Sequence, residues 1–343
     1  MPKKVTLKFL ADRLGLSKSA VSSVLNNAPL ARSFTPETRE RIFKAAKQYN
    51  YKPNYFARYL NQQRSYLIGV ISPDLAEGYD ASVLGGIEEY LLQSDYHYFL
   101  ATHEWSKSRI DRTIQMFLER GVDGLILINT SLSSPVDLPL AVIGKGSRIK
   151  SAISIAIDNH AGIRSALEHL VSLGHSKIAF VKGHKDSSDT EDRWNAIVAA
   201  ARSLSIKVDR NLVVQLERLG AQQISGIEEG AACAQTLITR GRQFTALMAF
   251  NDNSAIGAIN QFRERGWRIP QDISVVGFDD VAAARIVFPA LTTVQQPLRL
   301  MGETAAREVI SAITCGMKQR QLILAPKLIV RNSTAPAPIP KQD

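Results

Sequence analysis

The chain has 343 residues, 45% of them hydrophobic, which suits two or three packed units, each with its own core. Its net charge is +10, and thirteen Lys/Arg against three Asp/Glu place the whole surplus in residues 1–66, leaving the remainder balanced at 29 of each sign. Two cysteines without a CxxC or Cys/His cluster, six histidines with none at ligand spacing, no apolar signal core and no run near the roughly 18 apolar residues of a membrane span argue against a disulfide framework, a metal centre or a membrane protein, and make the cytoplasm the expected compartment.

A concentrated basic segment beside a neutral body attracts a polyanion by counterion release, whereas the bland alternatives are a solvated face or a disordered basic tail. The pattern inside the segment decides. Thr6 is a good N-cap, and Leu7, Leu10, Ala11 and Leu14 then repeat on one helical face until Gly15 ends the helix. Ser17 caps a second helix with Ala20, Val21, Val24 and Leu25 inward and Lys18, Ser19, Ser22 and Ser23 outward, which is a helix-turn-helix pattern. Thr35, Pro36 and Glu37 open a third helix whose stripe is Ile42, Ala45, Ala46 and Tyr49 and which stops near Asn50. Three helices on one small core turn the charge into a folded, oriented surface.

The runs VTLKFLADRLGLSKSAVSSVLNN and FTPETRERIFKAAKQYNYKPNYFARYL resemble the headpiece and hinge of the LacI/GalR family of bacterial repressors. Asn54, Ala57, Arg58 and Leu60 reproduce that family's hinge pattern N-x-x-A-R-x-L, which implies a hinge helix with Leu60 as a minor-groove wedge. The resemblance also implies that Lys18, Ser19 and Ser23 meet base edges. Lys8, Ser17, Ser22 and Asn26 are expected to touch the DNA backbone or hold the fold, and the capping residue Thr6 completes the expected DNA-binding set. Many family members carry Arg or His where this chain has Ser23, so the operator sequence does not carry over.

From Leu67 the rhythm changes to short buried strands, LIGVI, YFLAT, GLILI, KIAFV, ALMAF and ISVVGF, alternating with helical stretches from Val83, Ile110, Ile163, Arg193, Ala231 and Ala255. Such alternation predicts parallel sheets covered by helices, and so many units predict two doubly wound lobes. Ligands bind beyond the carboxyl ends of such strands, where Asp74, Thr102, His103, Asn129, Lys182, Asn251, Asp252 and Asp279 stand. For any one of these, a cap or a structural hydrogen bond is an equal alternative.

The stretches IGVISPDL, RGVDGLIL, HLVSLGHSKIAFVKG, AFNDNSAIGAINQFRERGWRIPQDISVVGFDDV and FPALTTVQQP extend the resemblance over about residues 5–330. It implies a periplasmic-binding-protein-like core, crossed three times by the chain between lobes, with Arg193, Asn251 and Asp279 contacting an effector; Asp74, at a strand end of the other lobe, is expected to face them. The chain reads AEGYD where many relatives show Asn-Pro-Phe-Phe, and residues 215–227 lack the aromatic on which relatives stack a ligand. Trp105 is then either the missing stacking face or core.

The expected architecture is an all-α helix-turn-helix headpiece over residues 1–52, a hinge helix and linker over 53–65, a two-lobed core of doubly wound parallel sheets over 66–330, and a disordered Pro/Ala-rich tail over 331–343. The expected partners are pseudo-palindromic double-stranded operator DNA, a small-molecule effector such as a sugar or related metabolite, and a second copy of the chain, because the tail lacks the leucine heptads of tetrameric relatives. No cofactor is expected. Gly144-Lys145-Gly146 lacks the third glycine of a dinucleotide fingerprint, and GxxxxGK[ST], GxSxG and HExxH are missing, so an enzyme is not expected. A solute-binding protein of a transport system shares the two-lobed fold and is the alternative; the basic helix-turn-helix joined in frame favours a regulator.

Overall fold

The computed structural model describes residues 5–26, 28–51, 64–75, 78–132, 134–144, 152–185, 187, 189–218, 226–241 and 243–338, and the chain divides into two units, Met1–Ser65 and Tyr66–Asp343. In the first unit each helix starts where its sequence signal stands. Thr6 Oγ1 accepts from Phe9 N at 3.2 Å to open α1 (Leu7–Leu14), and Gly15 ends it at φ +65°. Ser17 Oγ accepts from Ala20 N at 3.1 Å to open α2 (Lys18–Leu25), and Thr35 with Pro36 opens α3 (Pro36–Gln48). Leu10, Ala11, Val21, Val24, Ile42 and Ala45 form the buried core of this unit. The third helix ends at Gln48, just before the expected stop, and Asn50 turns the chain at φ +47°. The expected hinge residues Asn54, Ala57, Arg58 and Leu60 lie outside the described residues.

The second unit holds two lobes. The first is built from β1 (Leu67–Ser72), α4 (Gly78–Gln93), β2 (His97–Thr102), α5 (Lys107–Glu119), β3 (Gly124–Ile128), β4 (Leu140–Ile143) and β5 (Ile153–Ile157). The second contains α6 (Asn159–Ser172), β6 (Ile178–Lys182), α7 (Thr190–Ser203), β7 (Val213–Gln215), α8 (Gly226–Thr239), β8 (Ala246–Met248), α9 (Asp252–Glu264), β9 (Ser274–Asp279), α10 (Ala282–Ile286) and β10 (Thr292–Gln295). The chain then returns with α11 (Leu298–Cys315) and β11 (Arg320–Leu324) to the first lobe, and with β12 (Lys327–Ile329) to the second.

Among the described residues the strand orders are β11-β5-β4-β3-β1-β2 and β12-β10-β9-β8-β6-β7, every pair parallel except β10 with β12. The chain therefore crosses between lobes three times, as expected. Apolar clusters lie on both faces of each sheet, which is why β3 and β4 are buried at every position. In the first lobe α11 packs closely on α4: a Cβ at Gly302 would strike the Val83 carbonyl, and one at Gly86 the Arg299 carbonyl.

The expected disordered tail needs correction. Residues 331–338 lie on the second lobe, with Ser333 fully buried. Its Oγ donates to Val275 O at 2.6 Å and accepts from Thr292 N at 2.8 Å. Ala335 N donates to Ser274 Oγ at 3.0 Å, its carbonyl accepts from His175 Nε2 at 3.0 Å, and Ala337 N donates to Leu173 O at 2.8 Å. Small side chains bury little apolar area, so the segment is held by backbone and hydroxyl hydrogen bonds that composition does not reveal. Cys315, at the end of α11, is exposed while Cys233 is buried, and His103 and His175 are buried.

Candidate nucleic-acid interface and ligand cleft

On α2 the apolar positions face the core, so Lys18 and Ser19 are left exposed and Ser22 and Ser23 half-buried. Several hydroxyls serve the local fold: Ser17 Oγ lies 3.0 Å from Ser19 Oγ, and Asn26 Nδ2 donates to Ser22 O at 2.9 Å and Ser22 Oγ at 3.2 Å. Thr6, Ser17, Ser22 and Asn26 thus cap and lock the two helices, while Lys18 at the start of α2 presents an exposed cation and Ser19 a small polar group. Exposed Lys8, Arg13, Arg41, Lys44 and Lys47 surround the core of the same unit. A short helix with small polar side chains and flanking cations suits entry into a groove lined by phosphates.

The carboxyl ends of the strands in the second unit meet at the boundary of the two lobes. Arg193, in the first turn of α7, is only 4% exposed and its guanidinium is sandwiched, 4.6 Å from the Phe250 ring and 3.9 Å from that of Phe278. Its Nη1 donates to Phe250 O at 2.7 Å, its Nε to Asn159 Oδ1 at 3.2 Å, and its Nη2 stands 3.7 Å from Asp279 Oδ1. Asp279, at the end of β9, also accepts from Gln296 Nε2 at 2.6 Å. A buried charge needs such partners, and a guanidinium beside a carboxylate offers paired donors and acceptors to neighbouring hydroxyls.

Tyr79, at the start of α4, brings the first lobe to this group. Burial pushes its phenol well above the usual range, and the negative charges of Asp189, Asp279 and Asp80 add to the effect while Arg193 opposes it. Asp80 accepts from Ser72 Oγ at 2.7 Å, fixing the loop that carries Asp74, which is itself half-buried. Trp105 is not core. Held at φ +61° with its N–H donating to His103 Nδ1 at 3.0 Å, it lies 4.2 Å under the Arg218 guanidinium and 6.4 Å from the His184 ring, both in the second lobe. His184 Nε2 pairs in turn with Glu229 at 2.8 Å.

The expected cleft residues thus separate. Arg193 and Asp279 meet; Trp105 bridges the lobes elsewhere along the boundary. Asn251 spends its Oδ1 on capping α9, accepting from Ser254 N at 2.9 Å. Sequence reasoning missed Tyr79, Asn159, Asp189, Arg218, Glu229 and Gln296. The Asp158-Asn159 pair opening α6 was a readable signal; the others come together only through the fold.

Comparison with known proteins finds two family matches along the chain. Residues 6–54 match the family of bacterial regulatory proteins of the lacI type, and residues 167–334 match the periplasmic binding protein-like domain. The chain is 30% identical over 342 residues to the HTH-type transcriptional repressor PurR of Haemophilus influenzae (strain ATCC 51907 / DSM 11121 / KW20 / Rd), covering 96% of this chain and 98% of the relative. It is 28% identical to the HTH-type transcriptional regulator DegA of Bacillus subtilis (strain 168), covering 97% and 99%. Among solved structures it is similar to the lac repressor dimer bound to operator and the anti-inducer ONPF, with TM-score 0.85, 26% identity, and coverage of 97% and 100%. A complex of the transcriptional regulator CelR with cellobiose gives TM-score 0.71 at 26% identity, covering 96% and 99%.

Proposed function

The chain belongs to the LacI/GalR family of bacterial regulatory proteins, and on that premise we propose that Lys18, Ser19 and Ser23 read operator bases while the cleft around Arg193 and Asp279 senses a sugar or related metabolite. It is a sequence-specific DNA-binding transcription regulator and not an enzyme. Among the described residues no helix is long and apolar enough to cross a membrane. The protein works in the cytoplasm, as a homodimer on a pseudo-palindromic operator.

The single observation that carries the effector reading is the buried, stacked Arg193 beside Asp279 at the ends of the strands. Asp74 from the facing lobe, the Nδ2 of Asn251 and the Trp105 ring complete the proposed ligand set. Similar regulators have been solved with cellobiose and with ribose, which fits a polyhydroxyl effector for a cleft of this chemistry. On the DNA side Thr6, Ser17, Ser22 and Asn26 position α2. The hinge over residues 53–65, with Asn54, Ala57, Arg58 and Leu60, supplies the minor-groove wedge, and residues 1–52 form the headpiece.

The experiment is to select duplexes from a randomised library with the purified chain and then screen ribose, cellobiose, sugar phosphates and nucleobases by thermal shift. Pseudo-palindromes should be enriched, and a compound that raises the melting temperature should change operator affinity by about 5- to 150-fold. Asp279→Ala should lose that response yet keep salt-dependent DNA binding. Full response in Asp279→Ala would show that the cleft assignment is wrong.

A further inference from the structure

Asp280, one residue past the cleft carboxylate, has a side chain only 1% exposed, and three donors converge on it. They are Arg331 Nη2, Gln295 Nε2 at 2.8 Å and Arg285 Nη2 at 3.1 Å. Asp279 and Asp280 both stand at positive φ, +118° and +58°, where L-residues are strained, so the surrounding contacts must hold them there. Some of that restraint comes from neighbouring strands and helices. Gln296 N donates to Asp279 O at 3.2 Å, and Val281 N donates to Asp252 Oδ2 at 2.9 Å.

Arg331 approaches from the other side, on the segment after β12. Its Nη1 donates to Leu291 O at 2.8 Å and its backbone N to Thr292 Oγ1 at 2.9 Å, so the guanidinium spans from the start of β10 to the Asp280 carboxylate. An exposed ion pair contributes little, but here the carboxylate is buried and the guanidinium largely covered, at 15% exposure, and its fork fixes direction as well as charge. Ser333 and His175 anchor the same segment separately, so changing the arginine leaves the segment in place.

We propose that Arg331 is a positioning residue for the effector site: by clamping Asp280 it holds the strained Asp279–Asp280 step so that Asp279 faces Arg193. The proposal rests on the reading of Asp279 as an effector contact. The competing role, neutralising a buried carboxylate, predicts a general loss of stability and is separable from it.

The test is hydrogen–deuterium exchange of the full chain in three forms: unaltered, Arg331→Met, and Arg331→Met with Asp280→Asn. In Arg331→Met the amides of residues 279–281 and of Gln296 should exchange at least about tenfold faster, with those of β6 and β8 unchanged. The double variant should recover the melting temperature but not the local protection. Unchanged protection at 279–281, an equal loss throughout the second lobe's sheet, or recovered protection in the double variant would each overturn the proposal. No ligand is needed, so failure here is distinct from failure of the cleft assignment, which Asp279→Ala reads.

Discussion

Leu10 is fully buried between the three helices of the N-terminal unit, against Val21, Val24, Ile42 and their neighbours. Truncating it to alanine removes three carbons from a core too small to collapse around the gap, a change that costs about 2–5 kcal/mol. A folded unit about 50 residues long carries a total of only ~2.5–7.5 kcal/mol, at 0.05–0.15 kcal/mol per residue. Leu10→Ala therefore consumes most of the headpiece's stability and none of the core's, since Tyr66–Asp343 is a separate unit. Differential scanning calorimetry of the variant should show the core transition unmoved and the headpiece transition lowered or lost. Affinity for duplex DNA should fall in proportion to the unfolded fraction. A variant whose headpiece melts as before, or whose core transition falls together with it, would refute the assumption that the two units fold independently around the cores described.

Lys18→Ala should relax base preference at one position in each half-site at a cost of roughly 1–3 kcal/mol, read across a randomised duplex library. A uniform loss on all sequences would instead make Lys18 a phosphate contact. Asp252 supplies a pH dependence: burial is the largest cause that raises its carboxyl from 3.8 to about 7, despite the opposing hydrogen bonds from Thr293 and Val281 N. Because the folded form holds a proton that the unfolded form has released, the associated stability is fully present below the unfolded value and is lost as pH rises through about 7. By 1.36 kcal/mol per pH unit its upper bound is about 4 kcal/mol. Asp252→Asn keeps an acceptor for Val281 N and lets the Thr293 hydroxyl rotate, so it should flatten the melting profile between about pH 4 and pH 7; an unchanged slope would locate the titration elsewhere.

The features legible in the sequence are those with a local cause. Thr6, Ser17 and Thr35 act through amides three residues away, so each cap could be placed before any tertiary contact was known. LIGVI and GLILI announce strands because both faces are buried. β7 and β12 do not, being three residues long at opposite edges of the second sheet, with too few alternating positions to signal a period. Asp279 was legible as the end of a buried strand and Arg193 only through the family resemblance, while the partners that give them chemistry, Tyr79, Asn159 and Gln296, lie apart from them in sequence. The tail shows the opposite failure. RNSTAPAP has the composition of a disordered segment, yet Ser333 and Ala335 find partners on β9, the Val275 carbonyl and the Ser274 hydroxyl, that no window of composition reports.

The three lobe crossings impose an order on synthesis. The headpiece has all its core residues once Tyr51 has left the ribosome and can fold then, as N-terminal units generally do. The first lobe's sheet, by contrast, cannot close its β5 edge until Arg320–Leu324 is made, nor the second its β10 edge until Lys327–Ile329 follows. A nascent chain thus carries a finished DNA-reading module ahead of two sheets with open edges, the kind of surface on which chains pair and aggregate. A premature stop anywhere between Tyr66 and β11 would release a finished headpiece attached to sheets that lack their closing strands.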